Sequence, residues 1–137
     1  MIDLLTALIE LYKADITIQA LIYDRVYGEK IPREEIPNMP RHNLVIVSAG
    51  GPEAFKTDPT FSARFDVWSY GYSLYDAGVL DRIVYDVTKN IYRRSIVGVL
   101  IHSAALSGGP LPYVDGDTGY AAMIRSILVK ADERAIA

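Results

Sequence analysis

The stretch Phe61–Gly71 reads FSARFDVWSYG, and it decides the fold prediction for the whole chain. Its side chains alternate in type with a period of two, which is typical of a β-strand with one face on a hydrophobic core. The apolar face carries Phe61, Ala63, Phe65 and Val67. The opposite face begins polar and ends in Trp68 and Tyr70. Large aromatic side chains are seldom left in water, so this face predicts a second covering layer, a ligand site or a contact with another subunit.

The residues on either side of this strand predict a hairpin and a helix. Leu44–Ala49 is a second apolar strand that stops at Gly50-Gly51-Pro52, so the two strands form a hairpin with a projecting tip at 52–60. Leu74–Arg93 has helical spacing, with Arg93 and Arg94 interpreted as its basic C-terminal cap. Its apolar stripe comprises Ala77, Leu80, Val84, Val87 and Ile91.

The two ends of the chain complete the predicted elements. An amphipathic helix covers Ile2–Asp15, a short helical piece follows at Ile16–Tyr23, and Arg25–Ile31 is a short edge strand. Prolines at 32, 37 and 40 make residues 29–43 an ordered connector. Two strands, Ile96–Leu106 and Tyr120–Ala131, flank a wide turn-rich loop at 107–119. The order predicts a single α+β domain, residues 1–137, with a mostly antiparallel sheet of four to five strands and two main helices packed on it.

Composition excludes several classes of protein. The net charge of −3 and the pI of about 5.3 give no basic footprint, so sequence-independent nucleic-acid binding by the monomer surface is not expected. No sequence-specific nucleic-acid partner is predicted either. The absence of cysteine excludes disulfides and thiolate metal sites. No apolar run reaches the length of a membrane span, and no basic region precedes the apolar N-terminus, so neither a membrane partner nor a signal peptide is predicted.

No group of residues in the sequence predicts catalysis, a cofactor or a metal. Asp115-Gly116-Asp117-Thr118-Gly119 begins like a calcium loop, but serine stands at 126 where the loop needs a carboxylate, so a hairpin turn is expected. His42 and His102 have no second ligand at metal spacing, and His102 is interpreted as a core or interface histidine. A non-hydrogen-bonded surface pair or cross-strand partners would explain Arg64 and Asp66 without catalysis. We therefore expect a protein that is not an enzyme.

The order of these elements resembles the tail-terminator, or tail-completion, family of long-tailed bacteriophages. The resemblance rests on Arg25-Val26-Tyr27 after a first helix, then a proline-rich run, the strand LVIVSAGG and the strand from Arg64 to Tyr70. A long amphipathic helix and a last hairpin with the acidic turn at 115–119 complete the likeness. It covers nearly all of the chain and includes no catalytic residue.

The resemblance implies a structural virion protein that is made in the host cytoplasm and located at the tail end, or neck. Such proteins form homo-oligomeric rings, typically hexamers, that cap the tail tube, stop its polymerisation and join it to the head connector or stopper protein. DNA would pass through such a ring. The interface residues expected on this basis lie on the aromatic strand face and in two loops: Phe55, Lys56, Asp58, Arg64, Asp66, Trp68, Tyr70, Tyr113, Asp115 and Asp117.

Three alternatives stay open at the level of the sequence. The first is another ring of the phage neck, such as a head–tail joining or stopper protein, which has a similar shape. The second is a small α+β enzyme or ligand-binding domain, which would require a concave pocket with converging polar groups. The third is an oligomeric scaffold unrelated to phages. The face that carries Trp68 is expected under a second layer or against another subunit.

Overall fold

The computed structural model describes residues 4–54, 60–96 and 98–133. Three α-helices and a short 3₁₀ turn are present in these ranges: α1 Leu4–Ala14, α2 Ile16–Ile22, the turn Ile36–Asn38, and α3 Leu74–Lys89. Six strands accompany them: β1 Val26–Gly28, β2 Asn43–Ala54, β3 Thr60–Gly71, β4 Tyr92–Ile96, β5 Val99–Val114 and β6 Ala121–Glu133. β2 continues through Gly50-Gly51-Pro52, where the sequence predicted its end, and within the predicted tip at 52–60 residues 55–59 lie outside the described residues.

The strands form one sheet in the order β1-β2-β3-β6-β5-β4. β3, the strand predicted from Phe61–Gly71, lies inside this sheet and pairs antiparallel with β2 on one side and β6 on the other. Only β1 and β2 pair in parallel; the other neighbours are antiparallel. The α+β class and the largely antiparallel sheet are confirmed, and the sheet has six strands where four to five were expected.

One face of the sheet carries the core. Phe65 and Val67 of β3 belong to a single cluster of buried side chains that includes residues of all three helices. Tyr12 of α1 is fully buried, and its hydroxyl lies 2.7 Å from the hydroxyl oxygen of Thr88 in α3. The helices therefore pack on the face that the alternation of β3 predicted as apolar. We call this the helix face and the opposite one the outer face.

The long helix ends earlier than the sequence predicted. α3 begins after Ser73, whose hydroxyl accepts a hydrogen bond from the Asp76 amide, and it ends at Lys89 with Asn90 as its cap. Arg93 and Arg94 are exposed residues of β4 and not a helix cap. Strand pairing between Tyr92–Ile96 and Val99–Ser103 prevails over the local helical pattern.

The expected loop at 107–119 is also largely strand. β5 continues to Val114 and pairs with β6. The register of this pairing shifts at three places: between Ile101 and Ser103, Leu106 and Gly108, and Gly108 and Leu111. Such bulges let turn-forming residues sit inside a strand. Gly109 has a φ of +99°, a conformation that other residues rarely adopt. Residues 115–120 alone form the connection between the strands.

Candidate functional site

The outer face carries two cross-strand rows that meet at the end of β3. Trp68 lies opposite Val45 of β2 and Ile124 of β6, and Ile124 lies opposite Leu111 of β5. In the adjacent row, Tyr70 lies opposite Asn43 and Ala122, and Ala122 lies opposite Tyr113. Because alternate residues of a strand point to opposite faces, both rows lie on the face opposite the helices.

Three aromatic rings are in contact at this place. The ring of Trp68 stacks on that of Tyr70, with centroids 6.1 Å apart and planes at 22°, and it meets Tyr113 edge to face at 5.5 Å. Leu111 remains 61% exposed and Tyr113 42% exposed. Burial, followed by the nearby Tyr113 and Asp115, raises the pKa of Tyr70 above its ordinary value, so its hydroxyl stays neutral.

We define the aromatic surface as Trp68, Tyr70, Leu111, Tyr113 and Ile124. Its members are partly buried or exposed, and they are contributed by β3, β5 and β6. Aromatic side chains with a polar tip are enriched in protein interfaces because they offer a large apolar area at a small cost in conformational entropy. The composition of this surface is suited to binding another protein.

The β2 side of the outer face is bordered by residues 29–42, which we call the proline connector. Glu35 of this segment is 4% exposed and accepts hydrogen bonds from Arg41 at 2.5 and 2.6 Å and from the Asn43 side chain at 2.9 Å. Asn43 is the first residue of β2 and is itself fully buried. The hydrogen bonds from Arg41 are the main reason why the pKa of Glu35 falls to about 2. The ionised carboxylate fixes the connector to the sheet.

The residues expected at an interface fall into four groups. Trp68, Tyr70 and Tyr113 come together in the aromatic surface, with Asp115 near Tyr70. Asp66 and Arg64 follow on the same face of β3, where Asp66 accepts a hydrogen bond of 2.7 Å from the hydroxyl of Ser126, its cross-strand partner on β6. Asp117 lies in the exposed β5–β6 turn. Phe55, Lys56 and Asp58 lie outside the described residues.

Two members of the aromatic surface were not expected from the sequence. Leu111 stands between two prolines in a stretch that reads as loop, so only the register of β5 against β6 places it on the sheet. Ile124 belongs to a predicted strand. Its alternation with Arg125 could have indicated that the two side chains lie on opposite faces of the sheet, although not which of them faces the helices. Arg125 lies on the helix face, where its Nε donates to Asp81 of α3 at 2.8 Å.

The other polar groups that suggested chemistry have structural partners. Asp115 accepts hydrogen bonds from the amides of Asp117 and Thr118, which closes the acidic turn. His102 lies 3.0 Å from the carboxylate of Asp132 on β6. Within residues 4–54, 60–96 and 98–133 no group of three His, Asp or Glu is placed to hold a metal ion. None of the helices in those ranges is long and apolar enough to cross a membrane.

Comparison with known proteins gives a likeness of fold. No family model matches the chain. No curated protein matches it by sequence. Among solved structures, a chain from the virion of a native gene transfer agent particle superposes with a TM-score of 0.71 at 12% sequence identity. The likeness covers 94% of both chains, so the two proteins share a fold over nearly their whole length.

Proposed function

We propose that this protein is a structural component of a phage-like virion and that it acts as the tail terminator. The observation that carries the proposal is the fold shared with the virion chain along 94% of each protein. The aromatic surface supports it, because a subunit that assembles needs an apolar contact area and this one is rich in tyrosine and tryptophan. The order of sequence elements supports the finer assignment to the tail terminator.

In this role six copies form a ring on the finished tail tube. One end of the ring contacts the tube subunits and stops their polymerisation, and the other contacts the head connector or stopper protein. A closed ring needs a heterologous interface, so each subunit presents two different surfaces to its neighbours. The aromatic surface is one of them, and the protein resides in the virion at the neck.

The experiment that tests the proposal is removal of the gene from the cells that produce the particles, followed by electron microscopy of their tails. A tail terminator predicts tails of uncontrolled length and their correction when the protein is supplied from a plasmid. Tails of normal length and intact particles would contradict the proposal.

The same fold likeness also supports a second candidate, a head–tail joining or stopper ring, since the similar chain comes from a virion particle. The deletion separates the two. Loss of a stopper or joining protein leaves tails of normal length that are detached from DNA-filled or leaking heads. Copurification with the tube protein favours the terminator, and copurification with the portal-side adaptor favours the joining protein.

A further inference from the structure

We infer that the proline connector of one copy docks on the aromatic surface of the next copy, which makes the subunit contact head-to-tail. The inference rests on the proposed ring and names the two surfaces that such a ring requires. Both surfaces belong to the same chain, and they differ in shape and chemistry. The proline connector contains a turn on the β2 side of the outer face. The aromatic surface is a partly exposed area that extends from β3 to β5.

The two surfaces lie at the same level along the strands. Glu35 holds the connector at Asn43, the residue of β2 that pairs with Tyr70 of β3. Tyr70 pairs with Ala122 of β6, and Ala122 pairs with Tyr113 of β5. We therefore place the connector of one copy beside Tyr113 of the next by a rotation about an axis along β3, with no shift along that axis. A head-to-tail contact closes into a ring when it has no such shift and its rotation is a whole fraction of a turn, whereas a shifted contact continues as a filament.

The β5 edge leaves room for a neighbour at this level. β4 pairs with β5 only between Val99 and Ser103. Beyond that point, in residues 104–114, no other described strand pairs with the outer edge of β5, and residues 105–114 are all exposed. No charged residue occurs between Ala104 and Val114. Pro110 and Pro112 disfavour addition of a strand here, so contact through side chains is the mode that fits this edge.

The proline connector exposes apolar side chains that can pack on the aromatic surface. Its 3₁₀ turn Ile36–Asn38 exposes Ile36, at 48%, and Pro37 beside it. Proline and aliphatic side chains pack well on aromatic rings, which is how proline-rich segments are recognised in other proteins. Glu35 fixes the turn through Arg41 and Asn43, so little conformational entropy is lost on docking.

Crosslinking between two single-cysteine variants tests the contact directly, since the natural chain contains no cysteine. Ile36→Cys is prepared with a size tag and mixed with untagged Leu111→Cys at high concentration, then treated with a short bis-maleimide. A crosslinked species that contains one tagged and one untagged chain is expected. Ile16→Cys, at a 79% exposed site on α2, serves as the matched control, and the mixed species is expected to be lost when it replaces Ile36→Cys.

Several outcomes would overturn the contact. Absence of the mixed crosslinked species overturns the contact. An equal yield of that species when Ile16→Cys replaces Ile36→Cys also overturns it. So does a predominant crosslink between two Leu111→Cys chains, because it indicates a symmetric pair. Light scattering on the same samples separates this failure from that of the proposed function. Ring-sized particles without the mixed crosslink reject the docking alone, whereas tails of normal length after gene deletion reject the terminator role.

A second variant does not depend on crosslinking. Ile36→Asp places a charge on an exposed side chain, so the circular dichroism spectrum is expected to remain that of the folded chain while the oligomer mass falls. An unchanged mass in Ile36→Asp overturns the contact.

Discussion

Trp68 and Tyr113 meet edge to face with ring centroids 5.5 Å apart, although β6 lies between the strands that carry them. The contact is possible because Ala122 of β6, which pairs with Tyr70 and Tyr113, is small. Ala122 is fully buried on the outer face. The aromatic surface is thus continuous across β3, β6 and β5, and the outer face has a small core of its own beside a surface that remains open.

The substitution Trp68→Ala should affect both stability and assembly. The variant loses two ring contacts of Trp68, and we expect the free energy of unfolding to fall by about 2 kcal/mol, below the cost of a fully buried tryptophan because this side chain is partly exposed. Urea denaturation measures the first effect, and tail lengths in a complemented deletion strain measure the second. Tyr75→Ala, at a 79% exposed position, is the control and should change neither. Normal assembly by a folded Trp68→Ala would exclude the aromatic surface from the interface.

Glu35 should make stability depend on pH in the acidic range. Its pKa is about 2 in the folded protein against an ordinary value of 4.5, so its carboxylate stabilises the fold above pH 4.5 and this contribution is lost as the pH falls toward 2. Glu35→Gln should cost on the order of 2 kcal/mol at pH 7, because charge-assisted hydrogen bonds are lost, and less at low pH. Denaturation curves across this pH range check the prediction. Glu34→Gln, at an exposed site, should match the natural chain, and an equal cost of Glu35→Gln at every pH would contradict the assignment.

Tyr12 should stay neutral in the folded protein at alkaline pH. Thr88 donates its one hydroxyl proton to the carbonyl oxygen of Val84, so the Tyr12 hydroxyl must donate to Thr88. Burial raises the pKa of Tyr12 from 10.0 to about 12. Because the unfolded chain ionises first, this residue lowers stability as the pH rises above 10.0.

The substitution Tyr12→Phe isolates this hydrogen bond. It should cost about 1 kcal/mol at pH 7 and remove from the ultraviolet absorbance titration one phenol that ionises at about pH 12. Tyr75→Phe, at an exposed site, is the control and should leave both stability and the high-pH ionisation of Tyr12 unchanged. An identical titration for the two variants would contradict the buried assignment of Tyr12.

Gly71 should tolerate no side chain. A methyl group at this position would lie 2.4 Å from the backbone nitrogen of Ala77, in the first turn of α3, so the helix would have to shift. We expect Gly71→Ala to lower the free energy of unfolding by about 2 kcal/mol or more, the usual cost of overpacking. Gly116→Ala is the control, because a methyl group there would meet no atom within 4 Å. Thermal or urea unfolding of both variants measures the difference.

Local patterns predicted those elements in which one face meets the core. β3 was predicted at nearly its observed length because its alternation is strict, and α3 was predicted because its apolar residues recur at helical spacing. Where pairing with a neighbouring strand sets the end of an element, the predicted boundary was wrong. Arg93 and Arg94 read as the end of a helix and lie in β4, and residues 107–114 read as a loop and belong to β5. Strand pairing is a contact between distant residues, and a local window of sequence does not contain it.

By itself, the sequence determined the α+β class, the central strand Phe61–Gly71 and the unusual second face of that strand, because alternation and helical spacing are local properties of the chain. The tertiary structure alone decided what surrounds Trp68. It placed all three helices on the other face, anchored the proline connector at Asn43 through Glu35, and brought Leu111 and Tyr113 beside the tryptophan. Register across four strands sets these neighbours, and that register follows from packing of the whole sheet.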